Sequence, residues 1–220
     1  TLCGDDTYLL DRPADKSLRI EFYGDSITCG YGVMGNNASP GYVTFEQDST
    51  NAYAYMTAEI LDADGRYMCQ SGKGIVANCI GDRDDMKVSD FWAWKNAAGE
   101  PWDTSRWTPD VCVLNCGTND AWGGIGDEEF KERGLRFLAD VRKAYPQAKI
   151  VWAYGIMDET KLRAVEETVN EFAKNDANTY FFPIKSMYHF NDEVGGGGHP
   201  NTNTSKRTSA ELAARIKGIL

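Results

Sequence analysis

A chain of 220 residues, 42% hydrophobic and 25% charged, carries enough apolar material for one sizeable α/β core, and this ordinary globular composition argues against a disordered chain. Its formal net charge of −10, with no Lys/Arg cluster to offset it, argues against a nucleic-acid partner, whereas a neutral substrate such as a sugar ester meets no conflict. No apolar stretch approaches the roughly 20 residues of a membrane span.

Residues 1–16 stand outside any regular pattern, and Asp11-Arg12-Pro13-Ala14-Asp15 reads as a linker. The first strand is expected over residues 18–23, an apolar run that stops at Gly24-Asp25-Ser26-Ile27. Tyr53, Met56 and Ile60 make the first helical stripe, and a second strand follows over residues 66–69. Residues 82–109 form a long connection holding Trp92, Trp94, Trp102 and Trp107, four of the six tryptophans. That cluster reads as a hydrophobic satellite pinning a loop or as an aromatic wall for a sugar ring. A third strand over residues 111–115 runs into Cys116-Gly117-Thr118-Asn119-Asp120. Phe130, Gly134, Phe137 or Leu138, Val141 and Tyr145 make the next stripe, before a strand over residues 150–154. Leu162, Val165, Val169 and Phe172 mark a further helix, and a strand over residues 180–184 is an edge strand because of Pro183. After the glycine run 195–198 and His199-Pro200-Asn201, a last helix starts near Asn203 with Thr208, Leu212, Ile216 and Ile219 on one face. Strand–helix alternation of this kind implies an α/β fold: a parallel sheet covered by helices on both faces.

Three polar signals fall at strand ends or before the last helix. A strand that stops at Gly-Asp-Ser holds the Ser26 hydroxyl at the sheet's carboxyl edge, where open α/β folds build their sites. Ser26 is therefore the candidate nucleophile, with Asp25 shaping the turn through backbone hydrogen bonds. The Asn119 side-chain amide and the backbone N–H groups of Ser26 and Gly72 are candidate donors to an oxyanion, with Gly74 the competitor of Gly72. His199 is the candidate general base. Its rival, His189, lies in the run Met187-Tyr188-His189-Phe190, which reads as partly buried. Tyr31, Trp122, Trp152 and Tyr154 lie near strand ends as sugar-carrying aromatics, with packing the alternative for each.

Six cysteines (Cys3, Cys29, Cys69, Cys79, Cys112 and Cys116) allow three bridges or none. Cys69, Cys112 and Cys116 fall in or beside strands, so they read as small core hydrophobes with free thiols. With no zinc-ribbon spacing and two histidines, no metal is expected. The chain opens at Thr1 with neither initiator Met nor signal peptide, which suggests a processed or trimmed chain.

The order Gly24-Asp25-Ser26, Gly72, Gly117-Thr118-Asn119-Asp120 and His199 resembles the GDSL or SGNH hydrolase superfamily over most of the chain from about residue 18. The longer stretch from Ile20 through Gly24-Asp25-Ser26-Ile27-Thr28-Cys29-Gly30-Tyr31-Gly32, with Ser71-Gly72-Lys73-Gly74 and Gly198-His199-Pro200-Asn201, is similar to the catalytic domain of carbohydrate esterase family two. The resemblance implies a three-layer α/β/α sandwich with a parallel five-stranded, flavodoxin-like sheet. It implies Ser26 as nucleophile, His199 as base and no cofactor. The activity it implies is removal of O-acetyl groups from plant polysaccharides, in a protein secreted or displayed by a polysaccharide-degrading bacterium.

Two departures from the family pattern stand out. Its members usually carry an amino-terminal β-sandwich, of which this chain holds at most a last strand around Thr7-Tyr8-Leu9-Leu10. The expected division is residues 1–16 as linker or remnant and 17–220 as hydrolase domain. The superfamily often has an aspartate three residues before the histidine, and Gly196 stands there instead. Asp192 or Glu193 reaching back through flexible glycines, or a backbone carbonyl, would then orient His199. The rival functions are a GDSL-type lipase, lysophospholipase or thioesterase, an acyltransferase, and a carbohydrate-binding module with weakened catalysis. The oligomeric state is left open.

Overall fold

The computed structural model describes residues 14–38, 41–96 and 98–220. Cys3, the strand expected around Thr7-Tyr8-Leu9-Leu10 and nearly all of the linker or sandwich remnant over residues 1–16 lie outside the described residues. The described elements run β1 (Leu18–Gly24), α1 (Ser26–Cys29), α2 (Tyr53–Ile60), β2 (Ala63–Cys69), α3 (Val88–Phe91), β3 (Val111–Asn115), α4 (Thr118–Trp122), α5 (Asp127–Ala144), β4 (Lys149–Tyr154), α6 (Leu162–Ala173), β5 (Thr179–Pro183) and α7 (Thr202–Lys217). The five strands form one parallel sheet in the order β2-β1-β3-β4-β5. This is the expected α/β architecture.

Helices cover both faces, so the central strands read as continuous apolar runs rather than alternating ones. Successive residues feed opposite cores. Tyr23, Leu114, Ile150 and Trp152 pack with Phe130, Phe137 and Val141 of α5 and Val165 and Val169 of α6. Ile20, Phe22, Val113, Val151 and Ala153 pack with Tyr53, Ala54 and Ala58 of α2 and Leu212 and Ile216 of α7.

Several local expectations shift. Strand β2 starts at Ala63, three residues earlier than its apolar signal, because Ala63-Asp64-Gly65 pairs with β1 by backbone alone at the sheet's edge. Helix α2 buries Tyr53, Ala54, Thr57 and Ala58, while Ile60 is exposed. Small residues on that face let α2 approach the sheet and α7 closely. The tryptophan-rich connection packs rather than forming a wall at the cleft. Trp92 joins the core, and the Arg66 guanidinium sits 4.7 and 4.1 Å from the rings of Trp102 and Trp107. A cation between two indole faces ties this loop to the middle of β2. The five cysteines among the described residues are free thiols, with Cys112 and Cys116 buried and Cys69 half-buried.

One contact fixes the loop after β2. Asp120, fully buried in α4, accepts backbone N–H bonds from Ile75 (3.0 Å), Val76 (2.7 Å) and Ala77 (3.0 Å). A single carboxylate thus satisfies three consecutive donors that strand pairing leaves unmatched. Asp120→Ala removes the acceptor of all three. Each stranded donor costs about 1–3 kcal/mol, so the expected loss is at least ~3 kcal/mol, read as a lower urea midpoint. An unchanged midpoint would show that water replaces the carboxylate without penalty.

Candidate active site

The carboxyl ends of β1, β2 and β3 stand level, since Gly24 is in register with Cys69 on one side and Asn115 on the other. The segments that leave these ends meet the loop before α7. Ser26, Tyr31, Ser71, Gly72, Cys79, Thr118, Asn119, Trp122, Met157 and His199 line one cleft of about 300 Å³. All four residues singled out in the sequence for the reaction therefore stand together. The sequence did not point to Ser71, Cys79, Thr118 or Met157. Cys79 and Met157 carry no local signal, while Thr118 lies inside the strand-end motif and Ser71 beside Gly72.

Ser26 opens α1, one turn long. Gly24 is required before it for space: a Cβ there would lie 2.1 Å from Thr28 Oγ1 and 3.1 Å from the Asn115 carbonyl. Asp25 caps the turn, its Oδ1 accepting from Ile27 N–H at 3.0 Å. The Ser26 hydroxyl is 2.8 Å from His199 Nε2. The other ring nitrogen, Nδ1, faces the carbonyl oxygen of Gly197 at 3.2 Å. With Nδ1–H donating to that carbonyl, Nε2 is left as an acceptor for the serine proton. Burial lowers the His199 pKa from 6.5, and the Gly197 carbonyl partly opposes this. The Tyr31 ring lies over the imidazole with centroids 4.2 Å apart.

Among the three ways of orienting His199, the structure has the carbonyl. Glu193 is bound elsewhere, its carboxylate paired with Arg207 (2.7 Å) and Thr204 (3.3 Å). Asp192 is exposed, and its carbonyl accepts from the amides of Asn201 and Asn203. The glycine run is no slack tether. Gly196 N–H donates to Gly32 O at 2.8 Å, and a Cβ on Gly32 would stand 2.2 Å from Gly196 O. The absence of side chains lets two loops touch backbone to backbone and seats His199 opposite Ser26.

Asn119 is committed more deeply than expected. Its amide nitrogen donates to Asp25 Oδ2 (2.9 Å) and to the Lys73 carbonyl (3.1 Å). Any bond to a substrate oxygen shares a hydrogen with one of these. Gly72 lines the cleft at φ +80°, whereas the Gly74 N–H turns inward to Asn78 Oδ1 at 3.4 Å. Burial pushes the Asp25 carboxyl up to about 7, and the Ile27 N–H opposes that rise while the Asp120 charge adds to it. Burial also raises Asp120 against its three backbone donors.

The aromatic expectations divide. Tyr31 and Trp122 line the cleft, with Trp122 61% exposed. Trp152 and Tyr154 are core residues, fully buried. The Trp152 indole donates to the Cys116 carbonyl at 3.1 Å, and the Tyr154 hydroxyl to Asp158 at 2.9 Å. In the run around the rival His189, Met187 is buried while the His189 side chain is half-exposed, and its ring lies 3.1 Å from the Glu159 carboxylate rather than at Ser26. Among the described residues no cluster of His, Cys, Asp and Glu could hold a metal ion.

A family model described as GDSL-like lipase/acylhydrolase matches residues 22–208. A cellulase/esterase, CelE, of Acetivibrio thermocellus is 30% identical over 223 residues, covering 96% of this chain and 27% of the relative. An acetylxylan esterase / glucomannan deacetylase of Cellvibrio japonicus is 28% identical over 225 residues, covering all of this chain and 62% of the relative. The chain thus spans less than two thirds of these relatives. A solved family two carbohydrate esterase from Clostridium thermocellum, in complex with cellohexaose, superposes with a TM-score of 0.88 at 29% identity, covering 96% of this chain and 67% of the other. The serine–histidine pair at the sheet's carboxyl edge and the match over residues 22–208 lead to one conclusion: the chain belongs to the GDSL-like lipase/acylhydrolase family.

Proposed function

We propose that this chain is a serine esterase that removes O-acetyl groups from plant polysaccharides. The observation that carries the reading is the 2.8 Å contact between Ser26 Oγ and His199 Nε2 in a small cleft rimmed by Trp122. The relatives named for acetylxylan and glucomannan support the substrate class. Action on a polymeric glycan also fits a secreted or cell-surface protein.

In this reading Ser26 Oγ attacks the acetyl carbonyl while His199 Nε2 takes its proton. The Gly197 carbonyl holds the imidazole in the tautomer that can accept it. The N–H groups of Ser26 and Gly72 and the Asn119 amide bear the oxyanion, with Asn119 sharing a hydrogen now given to Asp25 or Lys73. His199 then protonates the leaving sugar oxygen. Water, deprotonated by the same ring, cleaves the acetyl–Ser26 ester and restores the enzyme. Burial keeps the imidazole neutral near pH 7, as a base must be. A carbonyl orients the ring but stabilises the imidazolium less than a carboxylate would.

Ser26→Ala is expected to lower acetate release from an aryl acetate by at least ~10⁴-fold with the fold intact by circular dichroism; wild-type turnover in the purified variant would remove Ser26 from the reaction. Asp192→Asn is expected to change kcat by less than about twofold, whereas a loss on the order of 10⁴-fold, the scale for a triad aspartate, would make Asp192 the orienting group. The neutral imidazole is the active form and its pKa lies below 6.5, so kcat/KM should hold through pH 7 and fall on an acid limb centred below 6.5. A limb centred near 7 would instead assign the controlling titration to Asp25. Acetyl esters are expected to outrun longer acyl chains on aryl esters; the reverse order would favour a lipase or thioesterase.

A further inference from the structure

Ile80 is explained by neither backbone preference nor packing. It holds φ +61° and ψ 17°, yet its side chain is 91% exposed. A left-handed conformation drives the Cβ of an L-residue toward the following carbonyl, and a β-branched side chain makes this worse. Exposure gives no burial to offset it. The surrounding turn imposes the conformation from both ends. Asn78 N–H donates to Asp82 O at 2.7 Å, the Asn78 amide to Asp82 Oδ2 at 2.7 Å, and Gly81 N–H to Asn78 O at 3.0 Å. Cys79 N–H donates to the Gly72 carbonyl at 2.8 Å.

The position of this turn gives the strain a use. Cys79, just before Ile80, lines the cleft. Gly81, just after it, runs against the residue following Trp122: a Cβ on Gly81 would stand 3.4 Å from Gly123 O. Two large exposed apolar side chains, Ile80 and Trp122, thus belong to touching segments that each supply a residue to the cleft lining, Cys79 from one and Trp122 from the other. Backbone strain tends to collect where ligands are gripped.

We infer that Ile80 is a specificity-determining residue, an apolar contact for the C–H face of the sugar unit adjoining the acetylated one. This rests on the esterase reading of the same cleft and adds to it a preference for acetylated oligomers over small acetates. An isolated acetyl ester reaches Ser26 but leaves the Ile80 rim empty; an oligosaccharide covers it.

The test compares wild type, Ile80→Asn and Ile80→Val on acetylated glucomanno-oligosaccharides and on 4-nitrophenyl acetate. Asparagine accepts the left-handed conformation, so Ile80→Asn should raise the melting temperature by ~2 °C. It should lower the ratio of oligosaccharide to aryl-acetate kcat/KM about tenfold, mainly through KM, the scale of one lost apolar contact. Ile80→Val, which keeps the branched apolar surface, should hold that ratio within about twofold. An unaltered ratio in Ile80→Asn, or a lower melting temperature, would overturn the inference. Should the wild type release acetate from neither ester, the esterase reading fails, and calorimetric binding of the same oligosaccharides then decides. Equal Kd for wild type and Ile80→Asn would overturn the Ile80 contact, and a Kd about tenfold weaker in the variant would uphold it.

Discussion

Parallel pairing of β1 with both neighbours is the constraint on which the site depends. With Gly24 opposite Cys69 and Asn115, three strands end at one level, and the chain has only a few residues in which to turn after each. Ser26, Gly72 and Asn119 follow those ends closely, so none needs a long excursion to reach the others. The histidine comes from far along the chain, but its loop is fastened to Gly32, next to the Tyr31 ring that covers the imidazole. Topology delivers the serine, the glycine and the amide together; close backbone packing delivers the base.

Buried carboxylates then make the arrangement stiff. Asp25 links the end of β1 to Asn119, and Asp120 links α4 to the backbone of residues 75–77. A carboxylate in low dielectric holds its partners firmly because leaving them unpaired is expensive. The same burial raises both groups, so the scaffold of this site is itself titratable. Asp25 and Asn119 lie on different strand ends, so their bond couples the serine turn to the amide.

Much of this was legible in the sequence because parallel strands covered on both faces leave unbroken apolar runs, as in Val111-Cys112-Val113-Leu114. The start of β2 was not, because Asp64 and Gly65 pair through the backbone and carry no apolar signal. The face of α2 was misread because Ala54, Thr57 and Ala58 pack closely while looking unremarkable beside Met56 and Ile60. At the site, Ser26, Gly72, Asn119 and His199 were readable from short motifs at strand ends. The three donors to Asp120 were not, since the pairing spans more than forty residues and rests on backbone groups that every sequence shares. The Arg66–tryptophan stack escaped for a similar reason: each residue alone has an ordinary surface reading, and only the fold brings the rings over the cation.

The acceptor opposite His199 Nδ1 belongs to the main chain. No codon change can delete a peptide carbonyl, so this contact is protected from the substitutions that would abolish a carboxylate partner. What can disturb it is a change in the path of the turn: Gly197 sits at φ +60°, and a Cβ there would press to 3.0 Å from the Tyr31 ring. Mutational vulnerability is thereby moved from the identity of one acidic residue to the bareness of a glycine turn.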